Sequence, residues 1–151
     1  MTPIPGTSIP RPALILGFAG LLPLAGSLLI VMFGQTPAQH LVGERIFLAY
    51  AATILAFLGG VRWGAALANP GWRPLLLAVA PSLIAFGALL LDRDPALAVF
   101  ALTFAVVGAA DVGRRAAAEW PAWYRRLRIR LTIGVVALHG LMIWVFHVRG
   151  S

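Results

Sequence analysis

Long apolar runs separated by short polar turns divide the chain into five segments, residues 12–33, 46–68, 74–91, 95–113 and 131–148. A helix of about 20 apolar residues spans hydrocarbon roughly 30 Å thick, and each segment is near that length. The fourth run is apolar only to residue 110. It reaches full length by continuing through Asp111 towards Arg114, which makes that carboxylate part of the membrane structure. Residues 1–11, rich in proline and small side chains, read as an irregular lead. The apolar run after Arg11 is longer than the roughly 7–15 residues of a secretory h-region, and no small-residue cleavage site closes it, so it reads as a retained first span. Because the connections are short, the expectation is a single integral membrane domain over residues 1–151. Its fold class is all-α, a polytopic helical bundle of five transmembrane helices with an amphipathic cytoplasmic connector before the last.

Local punctuation agrees with these divisions. Thr36-Pro37 and Asp94-Pro95 each set an N-cap residue ahead of a proline suited to the first helical turn, and Asn69-Pro70-Gly71 is a strong turn. Asp92 and Asp94 are therefore read as capping and loop residues. Pro23 and Pro81 fall inside the first and third spans, where the missing N–H and the bulk of the ring kink a helix.

Composition narrows the function. Hydrophobic residues are 60% of the chain and charged residues 11%, too little polar surface for a water-soluble body of this size. With no cysteine, disulfides, thiolate catalysis and thiolate metal sites are excluded. All 12 basic residues are arginine, and the net charge is +7. That charge lies beside apolar spans, so anionic lipid headgroups rather than nucleic acid are the expected partner. Five crossings put Arg11, Arg62, Arg73, Arg114, Arg115, Arg125, Arg126, Arg128 and Arg130 towards one side and Arg45, Arg93 and Arg149 towards the other. The positive-inside rule then places the N-terminus in the cytoplasm and the C-terminus in the periplasm.

The residues with chemical interest are few. Gly60, Gly64 and Ala68 recur every four residues as a small-residue stripe that would admit another helix closely. Arg62 lies about 200° around the helix from Gly60, on the side of Gly59. A cation inside a span costs about 2.5–3.5 kcal/mol at mid-depth. It is relieved either by snorkelling beside Trp63 or by an opposite charge at the same depth. Asp111 is at that depth on the fourth span, which makes an Arg62–Asp111 pair the sharper expectation, with either single replacement more damaging than the double. The connector over residues 111–130 combines Trp120, Trp123 and Tyr124 with clustered arginines and should lie along the headgroups, with a new helix starting at Pro121 and running into the fifth span. His139, at mid-depth, is a candidate for a haem ligand, a proton relay or an interhelical hydrogen bond. His40 and His147 sit near the opposite face without a third ligand, so neither a metal nor a cofactor is expected.

The run Tyr50 to Gly64 (YAATILAFLGGVRWG), Pro81-Ser82, Asp111, and Pro121-Ala122-Trp123-Tyr124-Arg125-Arg126-Leu127-Arg128 with Leu131-Thr132 resemble the transmembrane protein 69-like family, a domain of unknown function in bacteria and mitochondria-bearing eukaryotes. The resemblance implies a small multi-pass protein of the bacterial inner membrane, with no activity, substrate or cofactor to carry over. Positions matching its motifs are Gly59, Gly60, Arg62, Trp63, Gly64, Asp111, Trp123, Tyr124, Arg125, Leu127 and Arg128. No catalytic residue is assigned. The expected role is a non-enzymatic accessory or assembly subunit of a larger membrane complex, which leaves homo-oligomers open. The alternative is a small oligomeric transporter or channel for an anionic solute.

Overall fold

Six helices account for nearly all of the residues described, 8–113 and 120–149, in a computed structural model of the chain. They are α1 (Arg11–Ala19), α2 (Leu22–Phe33), α3 (Pro37–Ala66), α4 (Trp72–Ala88), α5 (Arg93–Val112) and α6 (Ala122–Arg149). No strand occurs among the described residues. The lead expected over residues 1–11 falls mostly outside them, and so does the part of the connector at residues 114–119.

The proline signals act in two different ways. Pro23 stands at the second position of α2, and the helix is interrupted just before it at Gly20 and Leu21, so the first span is two helices in one apolar run. Pro81 sits inside α4 without breaking it and is buried. Thr36 starts α3 with a full capping box: its hydroxyl accepts from the Gln39 N–H, and the Gln39 side chain accepts from the Thr36 N–H. The helix therefore begins nine residues before the apolar run at Ile46, because a cap rather than hydropathy sets its start. The cap expected at Asp94 falls two residues earlier. Asp92 is the N-cap, and Asp94 lies in the first turn of α5, bonded to Arg93 at 2.7 Å.

α4 is shorter than its apolar run. After Ala88 the N–H groups of Leu90 and Leu91 bond three residues back, to Gly87 and Ala88, so the chain tightens into a turn where residues 89–91 were expected to be helical. Its 17 residues reach about 25 Å, at the lower limit for a crossing. By length and composition the first span, α3, α5 and α6 are each sufficient to cross a membrane.

α2 and α3 run antiparallel. Gly43, early in α3, meets Ser27 and Val31 in the second half of α2, while Gly20, just before α2 begins, approaches the Tyr50 hydroxyl. Gly59 lies against Ala78 and Ser82 of α4, and Gly108 of α5 against Thr132 of α6. The core between these helices holds Leu24, Val31, Phe47, Ala51, Leu55, Leu97, Phe100, Phe104 and Met142. Ile15, Phe33, Phe57, Leu83, Leu102 and Ile133 all face outward, more than half exposed. Large apolar side chains turned outward on every long helix are the mark of a protein whose solvent is lipid. The fold is thus a helical membrane bundle of about five spans. The start of α1 and the C-terminal end of α5 share one end of it, and the C-terminal end of α6 lies at the other.

Candidate functional site

Three helices bring charge into contact at the end of the bundle where α3 and α5 terminate. On α3, Leu48, Ala51, Leu55 and Leu58 form the buried stripe with alternating spacings of three and four, and the next position in that register is Arg62. On α5 the stripe is Leu97, Phe100, Phe104 and Val107, and the next position is Asp111. On α6 the stripe Val135, His139 and Met142 extends backwards through Thr132 to Arg128 and Arg125. Arg62 and Asp111 therefore occupy core positions near the C-terminal ends of α3 and α5, and Arg125 and Arg128 occupy them near the start of α6, so the charges meet because the three helices pack along those stripes.

Asp111 is the hub. Its side chain is 2% exposed, and each of its oxygens accepts one guanidinium: Arg62 Nη2 donates to Oδ1 at 2.6 Å and Arg128 Nε to Oδ2 at 2.7 Å. Arg62 Nη2 also lies 3.3 Å from the Val107 carbonyl, and Arg125 Nη2 donates to the Val112 carbonyl at 2.9 Å. The Val112 carbonyl is in the last turn of α5, at the negative end of the helix dipole, and the Val107 carbonyl lies a little more than one turn before it. A carboxylate there is unfavourable by itself. Two paired arginines and a third on the helix end reverse that balance. The expected Arg62–Asp111 pair is present, and Arg62 does not snorkel freely. Arg128 is a second partner that the sequence expectation lacks, because a basic, aromatic connector is expected to lie flat among headgroups. The signal was available: Arg128 stands four and seven residues before Thr132 and Val135, in register with the core stripe of α6.

The rest of the connector packs accordingly. Leu127 is buried beneath Gly17 of α1, and Tyr124 lies between Trp120 and Trp123, with ring centroids 4.9 and 6.0 Å apart. Trp120, Trp123 and Tyr124 are half-buried, so part of each ring remains at the surface.

The small-residue stripe is corrected. A Cβ on Gly59 would sit 2.5 Å from the Ala78 carbonyl oxygen, so Gly59 carries the close approach of α3 and α4. Gly60 and Gly64 are exposed, with nothing within 4 Å of an added Cβ, and Ala68 lies beyond the end of the helix. The reason is register. Gly59 is on the buried face with Leu55 and Leu58, and Gly60 is one step off it. Trp63 is also exposed, at 43%.

His139 is fully buried, and its bonding partner differs from the interhelical one expected. Nδ1 donates to the Val135 carbonyl of its own helix at 2.8 Å, which fixes the proton on Nδ1. Nε2 is buried without a hydrogen-bond partner, and the ring is enclosed by Phe47, Phe104 and Phe100, at 4.7, 5.4 and 6.2 Å between centroids. His40 instead contacts the Gly34 carbonyl, 2.9 Å from Nε2. Among the described residues no group of three or more potential ligands could hold a metal ion.

An apolar-surfaced helical bundle locked by buried charge at one end defines a polytopic membrane protein. The chain belongs to the family described as "Protein of unknown function (DUF3429)", whose model matches residues 9–144. It is similar to "Transmembrane protein 69" of Xenopus tropicalis, 36% identical over 140 residues, which cover 89% of this chain and 54% of that protein. It is also similar to "Transmembrane protein 69" of Mus musculus, 30% identical over 129 residues, covering 82% of this chain and 52% of the relative. The chain thus spans about half the length of the curated relatives it matches. No solved structure matches it.

Proposed function

We propose that this chain is a non-enzymatic accessory or assembly subunit of the bacterial inner membrane, with its N-terminus cytoplasmic and its C-terminus periplasmic. The observation that carries this reading is the Asp111 junction. It ties α3, α5 and α6 into a fixed platform and uses the buried charge for structure, while the neighbouring Trp120, Trp123 and Tyr124 keep part of their surface free. Aromatic and arginine side chains on a rigid support are the composition enriched at protein interfaces. The orientation is supported by the distribution of arginines along the sequence, where five crossings assign nine of the 12 to one side of the membrane.

The test is purification from native membranes in mild detergent. A partner in stoichiometric amount, retained by the parent chain and lost when Trp123 and Tyr124 are both replaced by alanine, is the expected result. Equal recovery from both proteins, or the chain recovered alone, would reject the reading.

The interrupted first span favours a second reading, an oligomeric transporter for an anionic solute, since broken helices line binding sites in transporters. Anion flux into reconstituted vesicles that depends on Arg62 is the measurement that would replace the first reading with this one.

A further inference from the structure

Charge and hydrogen bonding do not balance at the Asp111 junction. Among the described residues three guanidinium groups, those of Arg62, Arg125 and Arg128, gather around one carboxylate and two carbonyls near the end of α5. Each of the three keeps a buried nitrogen without a hydrogen-bond partner: Nε of Arg62, Nε of Arg125 and Nη2 of Arg128. Arg128 is only 6% exposed. The two negative oxygens of Asp111 are both engaged, and the end of a helix contributes only about half an elementary charge. Among the described residues the junction therefore holds more positive charge than it neutralises, in surroundings where unmade donors on charged groups are costly.

The chemistry that would correct this is a compact oxyanion with several acceptor oxygens, and phosphate is the group that guanidinium forks fit best. The position agrees. The junction lies where α3 and α5 end, at the level of Trp63, Trp120, Trp123 and Tyr124, the depth at which aromatic belts meet lipid phosphates. Arg62, with its side chain 20% exposed, and the half-buried Arg125 form the open edge, while Arg128 closes the back.

We propose that the junction of Arg62, Arg125 and Arg128 at the end of α5 is a binding site for a phosphate group, carried by an anionic membrane lipid or free in solution. The site is independent of docking to a complex, since it is read on the purified chain alone.

The full chain is purified, stripped of lipid, and offered an equimolar mixture of phosphatidylglycerol and phosphatidylcholine in one arm and inorganic phosphate in the other. Native mass spectrometry should find phosphatidylglycerol retained in preference to phosphatidylcholine. Arg125→Gln, which leaves both ion pairs of Asp111 intact, should weaken retention about tenfold, the loss of one charge-assisted contact. Arg125→Lys should fall between the two. Preference for phosphatidylglycerol identifies a headgroup site, and thermal stabilisation by inorganic phosphate alone identifies a soluble one. Either supports the assignment provided Arg125→Gln lowers it. Should Arg125→Gln fail to fold, dipolar coupling between ³¹P and the labelled arginine side-chain nitrogens of the parent chain decides instead. No coupling, or equal retention of both lipids by parent and variant together with no stabilisation by inorganic phosphate, overturns the proposal.

Discussion

Two buried polar groups in this bundle are handled in opposite ways. Asp111 is surrounded by partners, with both oxygens taken by arginines from two other helices. His139, midway along α6, bonds only to its own helix backbone and presents its second nitrogen to phenylalanine rings. Both occupy core positions at heptad-like spacing. The difference is charge: an ionised carboxylate cannot be buried unpaired, whereas a neutral imidazole can be buried at the cost of one unmade hydrogen bond. The first group thereby specifies which helices must meet. The second specifies little about its neighbours beyond their shape.

The largest effect is expected at the hub. Replacing Asp111 by leucine leaves Arg62 and Arg128 facing each other across three helix ends, and breaking a buried pair by removing one partner costs about 3–5 kcal/mol. Loss of the monodisperse peak in size-exclusion chromatography, with a large fall in melting temperature, is the expected outcome. Because Asp111 has two partners, a double replacement with Arg62 rescues only partly, since Arg128 still lacks its carboxylate. Changing all three residues to leucine should recover more than either pairwise combination. Strict additivity across the set would mean that the three side chains do not act as one unit.

Next in size are the close approaches that hold the same helices. A Cβ on Gly108 would run into the Thr132 side chain, and one on Gly59 into the Ala78 carbonyl. Gly108→Val and Gly59→Ala are therefore expected to destabilise by about 1–3 kcal/mol through overpacking. Gly60→Ala meets open space and should stay within about 0.5 kcal/mol of the parent. Thermal unfolding of the three variants in one detergent makes the comparison. If Gly60→Ala were as damaging as Gly59→Ala, the exposed glycine face would be in contact with something in the purified protein.

How much of this could be read beforehand follows the same division. Apolar run length located every span, because lipid enforces it. The Arg62–Asp111 pair was legible from matching depth on two helices running in the same direction. Arg128 was not, since a basic aromatic stretch is equally consistent with an interfacial segment, and only the core register of α6 distinguishes the two. The boundaries that shifted, the early start of α3 and the short α4, were decided by backbone bonding at a cap and a turn rather than by hydropathy. Gly59 and Gly60 are adjacent and chemically identical. Only the packing of α4 against α3 selects between them.

The smallest effect is expected at His139, and it separates the two regions most sharply. Leucine has nearly the volume of histidine and suits a cage of Phe47, Phe100 and Phe104. The substitution removes an unpartnered nitrogen, whose burial costs about 1–3 kcal/mol, and also removes the bond to Val135, worth about 1 kcal/mol. Val135 keeps its place in the helical backbone, so its carbonyl is not stranded. His139→Leu is thus expected to leave stability unchanged or to raise it by about 1 kcal/mol, measured by thermal unfolding in the detergent used for the Asp111 variants. A loss of more than about 2 kcal/mol would show that Nε2 is engaged in the folded protein. His139, like Asp111, would then owe its place in the core to a specific polar partner.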